Sequence, residues 1–216
     1  MNVTEGVDEL GLLGFVICLI WLLTKLDWAA LAGQKFKQVF LLGIALGLGF
    51  LWQFQAGVKP GLEVHFLGLT ATTLIFGYRK ALLTGTLALF LQPIIGDMPW
   101  SQIGVYGLLG VYIPVTLSYV LFAWAYHKLP RHFLVYIFFC AFFTGALCIA
   151  LKMLSISLYF AVSGEFAWQV VMDNYLILTP LLLFPEAMLN GMTMTLMVVH
   201  FPQLTETFSD REYLNK

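Results

Sequence analysis

Between Leu10 and His200 the chain is a succession of apolar runs separated by short polar connections. The longest, from about Phe133 to Val162, meets a single charge, Lys152. A bilayer hydrocarbon core of about 30 Å is crossed by about 20 apolar residues in helical form. The chain is 60% hydrophobic and 11% charged, whereas a water-soluble domain carries about 25% charged residues. No soluble fold of this size could hide so much apolar surface. The sequence therefore predicts an all-α integral membrane protein.

On that ruler about seven transmembrane helices are expected. The first two run from about Leu10 to Leu26 and from about Val39 to Phe54. The third and fourth, Glu63 to Tyr78 and Ala81 to Ile95, are short for spans and are joined by Arg79 and Lys80. The fourth ends at Gln92-Pro93, where proline's missing N–H breaks the helix. The fifth runs from about Ile103 to Tyr126 and contains Pro114, the sixth from Phe133 to Val162, and the seventh from about Tyr175 to His200. Residues 163–174 form an amphipathic connection. The whole of 1–216 reads as one multi-pass domain, with 201–216 a short polar tail.

Charge tests this count. The connections after spans one, three and five carry Lys25, Lys35, Lys37, Arg79, Lys80, Lys128 and Arg131, and the tail adds Arg211 and Lys216. Nine of the eleven basic residues thus fall on one side. The positive-inside rule makes that side cytoplasmic and puts the N-terminus outside. The acidic opening MNVTEGVDEL lacks the positive n-region of a signal peptide, so the first run is expected to stay as a membrane helix.

Few residues in this background carry chemistry. His65 falls at the outer end of span three, and neutral imidazole is a common ligand for divalent transition metals; an interfacial histidine bonded to a loop carbonyl is the plainer alternative. Lys152 and Glu186 lie deep in adjacent antiparallel spans, where a lone charge costs about 2.5–3.5 kcal/mol. They are expected to form a structural ion pair. Gly43 and Gly47 make a G-xxx-G pair suited to close helix packing. Cys18, Cys140 and Cys148 sit inside apolar runs and read as small buried hydrophobes. His127 and His132 read as solvated interface groups.

Several functions are excluded by what the chain lacks. No G-xxxx-GK-[ST] loop is present for nucleotide phosphates, no H-E-xx-H for an intramembrane metalloprotease, and no G-x-S-x-G turn. The expectation is a non-enzyme. The basic residues form no single cluster, so nucleic acid is not an expected partner. The lipid bilayer is.

Three stretches carry a resemblance. They are VKPGLEVHFLGLTATTLIFG with the following run ending in LFLQ, IGVYGLLGVYIPVTLSY, and FPEAMLNGMTMTLMVV. Their order and spacing over roughly residues 36–200 resemble the cobalt- and nickel-transport permeases of the CbiM/NikM type, the substrate-capture subunits of energy-coupling-factor transporters. The resemblance implies a compact bundle of the S-component kind in a bacterial inner membrane. It further implies Co²⁺ or Ni²⁺ as transported substrate, a link to cobalamin biosynthesis, and separate transmembrane coupling and ATPase subunits of an ABC-type transporter as partners. In the family, the terminal amine and a histidine at position two meet a second histidine after a Gly/Pro turn. His65 matches the latter and Met1 supplies the amine, but Asn2 stands where the family has its histidine. An amide oxygen is a poorer ligand than imidazole for these ions. The resulting expectation is a metal site of His65, Met1 and Asn2. The alternative is a binding-incompetent relative acting as a membrane assembly or accessory protein.

Overall fold

The structure, a computed structural model, describes residues 3–59, 61–209 and 213. Met1, Asn2, Pro60, Arg211 and Lys216, all used in the sequence argument, lie outside the described residues.

The apolar runs form helices, because a bilayer offers backbone groups no water to bond and a helix satisfies them within the segment. In order they are α1 (Val3–Lys25), α2 (Trp28–Ala32), α3 (Lys35–Leu51) and α4 (Leu69–Ile95). There follow α5 (Trp100–Lys128), α6 (Phe133–Ser163), α7 (Trp168–Asn174) and α8 (Thr179–His200). Among the described residues, five segments are long and apolar enough to cross a membrane: Thr4–Lys25, α4, α5, α6 and the stretch Trp168–His200. The first helix starts well before Leu10, and α3 starts before Val39.

The expected third span is corrected. Residues 63–68 are not helical, with Val64 in an isolated bridge and Gly68 left-handed (φ 65°, ψ 4°), and helix begins only at Leu69. Within α4 the backbone breaks at Gly77 (φ 70°, ψ 176°), a conformation open essentially to glycine alone. Residues 69–76 therefore make a separate two-turn helix, every residue of it buried. Residues 78–95 run back from the break toward Pro93 and Gly96.

This buried helix is held at both ends by distant parts of the chain. A helix leaves four N–H groups at its start and four carbonyls at its end without internal partners. At the start, side chains of α8 supply acceptors, as described below. At the end, Thr207 Oγ1 donates to the Leu74 carbonyl (2.6 Å) and the Glu206 N–H donates to that of Ile75 (2.8 Å). Tyr136 of α6, fully buried, bonds Thr207 through its hydroxyl at 2.7 Å and packs edge-on against Phe208 and Tyr213. The residues just after α8 thus dock beneath the bundle.

Basic side chains gather at this end. Arg79 donates to the Lys25 carbonyl at 2.8 Å, and Lys37 and Lys80 both pair with Glu206. At the opposite end the start of α1 meets the end of α6: Thr4 Oγ1 donates to the Ser163 carbonyl (2.9 Å), and the Tyr159 hydroxyl to Asp8 (2.7 Å).

Close packing of α3 does not use the predicted glycine pair. A methyl at Gly43 or Gly47 would meet nothing within 4 Å, whereas one at Gly49 would lie 2.7 Å from Leu91 of α4. Gly43 and Gly47 lie on the outward face of α3 with the exposed Leu42, Leu46 and Phe50.

Candidate functional site

The extended segment between α3 and α4 is built to present His65. Trp52, at the end of α3, donates its indole N–H to the Leu67 carbonyl (3.0 Å) and lies 5.6 Å from the His65 ring, centroid to centroid. Ala56 and Val64 exchange both backbone hydrogen bonds, an isolated antiparallel bridge that turns the chain. Gly61 N–H donates to Glu63 Oε2 at 2.9 Å. Lys59 lies 5.3 Å above the Phe166 ring. Gln92 fixes the neighbouring helices, accepting from Gln53 Nε2 (2.7 Å) and donating to the Gly49 (3.1 Å) and Ala88 (3.2 Å) carbonyls.

The far end of the segment is anchored by α8. Leu67 N–H donates to Glu186 Oε2 (2.8 Å) and Gly68 N–H to Oε1 (2.9 Å). Ala71 N–H donates to Asn190 Oδ1 (2.8 Å), while Asn190 Nδ2 donates to Glu186 Oε1 (2.7 Å). Glu186 and Asn190 are wholly buried. A carboxylate at a helix start meets both the free N–H groups and the positive end of the helix dipole. Lys152 and Glu186 act on each other electrostatically but make no ion pair within 4.0 Å among the described residues. The expected structural pair is therefore corrected: Glu186 spends its oxygens on backbone N–H groups and Asn190.

Beside this anchor lies a cavity of about 600 Å³. Trp52, His65, Gln92, Gly110 and Lys152 line it, and Glu63, Asp97, Gln102, Tyr106 and Glu165 also contribute to its wall. Gly110 belongs to a π-helical stretch, Tyr106–Tyr112, just ahead of Pro114. Such a stretch breaks the regular ladder and is frequent at functional sites.

His65 is half-buried, and its Nδ1–H donates to the Phe66 carbonyl at 2.8 Å. Nε2 is then the bare nitrogen, with no hydrogen-bond partner among the described residues. Burial, reinforced by the Lys152 ammonium, holds the imidazole pKa down to about 3. The ring is neutral at physiological pH. Glu165 is shifted the other way, upward from its ordinary value, by partial burial and the nearby Asp8 carboxylate.

Among the described residues no three His, Cys, Asp or Glu side chains converge as a metal site. Met1 and Asn2, the other expected ligands, fall outside the described residues. One contributor and one arrangement escaped the sequence reading. Asn190 stands one helical turn after Glu186, a spacing that places both on one face. That Lys152 faces a cavity shared with His65 depends on how α6 packs, which no local pattern encodes.

Comparison with curated proteins gives no match. Among solved structures, a truncated transition metal transporter superposes with a TM-score of 0.77 at 16% identity, over 91% of this chain and 95% of its own. At that identity the likeness speaks for the fold. The family model for the cobalt uptake substrate-specific transmembrane region, CbiM, matches residues 10–204. Both descriptions are those of transport components and not of enzymes. With nearly the full chain matched, this multi-pass membrane protein belongs to the CbiM cobalt-uptake family.

Proposed function

We propose that the chain is the substrate-capture subunit of an energy-coupling-factor transporter for a divalent transition metal, Co²⁺ or Ni²⁺, in a bacterial inner membrane. One observation carries the reading. His65 is held as a neutral imidazole whose Nδ1–H is tied to a backbone carbonyl, the arrangement that orients a metal-binding histidine and leaves Nε2 as ligand. The Met1 amine, with Asn2 beside it, is the proposed partner in coordination. Glu63, Asp97 and Glu165 along the cavity wall would raise the local concentration of cations.

The N-terminal end of the bundle faces outward in this reading, and the basic end with Lys25, Lys37, Arg79 and Lys80 faces the cytoplasm. The chain carries no nucleotide-binding loop, so separate coupling and ATPase subunits supply the energy. The outward Gly43 and Gly47 face of α3 is the proposed packing surface for the coupling subunit. Supply of metal for cobalamin biosynthesis is the proposed role.

Titration calorimetry of the purified protein with Co²⁺ and Ni²⁺ tests the proposal. Saturable binding that disappears in His65→Ala is expected. Binding that survives His65→Ala overturns the site. Absence of binding by the metal, both free and as a chelate, favours the second reading, an accessory relative, which the loss of the position-two histidine to Asn2 supports.

A further inference from the structure

Lys152 is 1% exposed, lines the same cavity as His65, and has neither a hydrogen bond nor an ion pair within 4.0 Å among the described residues. A buried ammonium whose nearest carboxylate influence, that of Glu186, acts from beyond ion-pair distance is costly, by several kcal/mol in general. An ammonium in this position also opposes a bare divalent cation at His65, since like charges in a low-dielectric wall repel strongly. Something anionic in the cavity would resolve both problems.

Volume argues the same way. A metal ion with six waters fills roughly 180 Å³, at about 30 Å³ per water. The cavity holds about 600 Å³. Charge narrows the choice further. Three carboxylates, of Glu63, Asp97 and Glu165, line the wall against the one ammonium, so the cargo as a whole should not be strongly negative. A metal held by an amino-acid-type ligand has this pattern: a cationic centre with one carboxylate at its edge.

Resting on the transition-metal reading above, we infer that the cavity takes its metal as a complex with a small amino-carboxylate. His65 Nε2 completes the coordination of the metal, and the Lys152 ammonium bonds the carboxylate. The ligand's own donors fill the coordination positions that His65 and the Met1 amine of the reading above leave open. Trp52, its ring tilted at 44° to that of His65, closes one side.

Calorimetry in detergent with Co²⁺ alone, histidine alone and the 1:1 Co²⁺–histidine complex tests the inference. The complex should bind tighter than either component. Lys152→Gln should weaken the complex by about ten- to a hundredfold, the scale of one charge-assisted hydrogen bond. The same variant should tighten bare Co²⁺ by removing the repulsion. Lys152→Arg, which keeps the charge, should retain the preference for the complex and serves where Lys152→Gln does not fold. Bare Co²⁺ binding as tightly as the complex overturns the inference and leaves the metal reading standing. Histidine alone binding as tightly as the complex overturns both, as does binding of none of the three.

Discussion

The Glu186 carboxylate accepts the backbone N–H of Leu67 at 2.8 Å across 119 positions of sequence. With the bond from Gly68 beside it, this contact fixes where the extended segment stops and the buried two-turn helix starts. His65 stands two residues upstream. The position of the candidate ligand is thus set by a residue of the last helix.

Removing that acceptor should therefore destabilise the fold. Glu186→Ala strands two buried N–H groups, each costing about 1–3 kcal/mol when unsatisfied. Glu186→Gln keeps one oxygen and should cost less. Asn190→Ala strands the Ala71 N–H and should cost about 1–3 kcal/mol. Thermal unfolding in detergent checks the ranking; Glu186→Gln melting below Glu186→Ala would contradict it.

Gly77 and Gly47 make a second comparison. Gly77 has a backbone conformation that side chains rarely adopt, with φ 70° and ψ 176°. Its substitution by alanine should cost about 1–3 kcal/mol, even though a methyl there would come no closer than 3.7 Å to Glu206. Gly47 is ordinary exposed helix with open space around it. Gly47→Ala should be neutral or stabilising by up to about 1 kcal/mol. Melting temperatures of the two variants separate conformational strain from crowding.

The docking of the residues after α8 can be apportioned as well. The Glu206 pairs with Lys37 and Lys80 are partly exposed, and such pairs contribute about 0–1 kcal/mol. Thr207 bridges the Leu74 carbonyl and the Tyr136 hydroxyl in a half-buried setting. Thr207→Val should thus cost more than Glu206→Gln, by roughly 1 kcal/mol. Unfolding measured at low and high salt distinguishes them, since only the ion pairs are screened.

The imidazole of His65 gives a pH prediction. Its pKa in the folded chain, about 3, lies below the ordinary 6.5. Between these values the unfolded chain binds a proton that the folded one does not, so stability falls as pH drops from about 6.5 toward 3. His65→Gln should flatten that part of the stability curve. Between pH 7 and 5 the His65 ring stays neutral, so the loss of metal affinity over that range should be that of the Met1 amine alone. A drop in affinity with a midpoint near 6.5 would show a histidine in ordinary solvent contact.

How much of this was legible in the sequence follows from how local each determinant is. The long helices were readable because their apolar runs are continuous. The reading failed at Glu63 to Tyr78, where composition suggested one helix. The residues that decide otherwise are Glu186, Asn190, Glu206 and Thr207, more than a hundred positions away. Glu186 and Lys152 were recognisable as buried charges, but charge alone suggested that they pair with each other. The competing acceptor role existed only once the extended segment had formed. Gly43 and Gly47 had the spacing for close packing, yet spacing does not say which face of α3 turns inward; Gly49 does that work. His65 stood out by its type, and its neutral form came from burial and from Lys152.

The two-turn helix of residues 69–76 also bears on the order of events during synthesis. Its upstream supports are Glu186 and Asn190, and its downstream support is Thr207. A ribosome delivers residues 52–95 to the membrane long before any of these. Until then the segment carries exposed backbone donors and acceptors that lipid cannot serve. The candidate site is consequently assembled last, when the final helix arrives, and a nascent chain stalled before α8 holds all of the cavity-lining residues named here without yet holding the cavity.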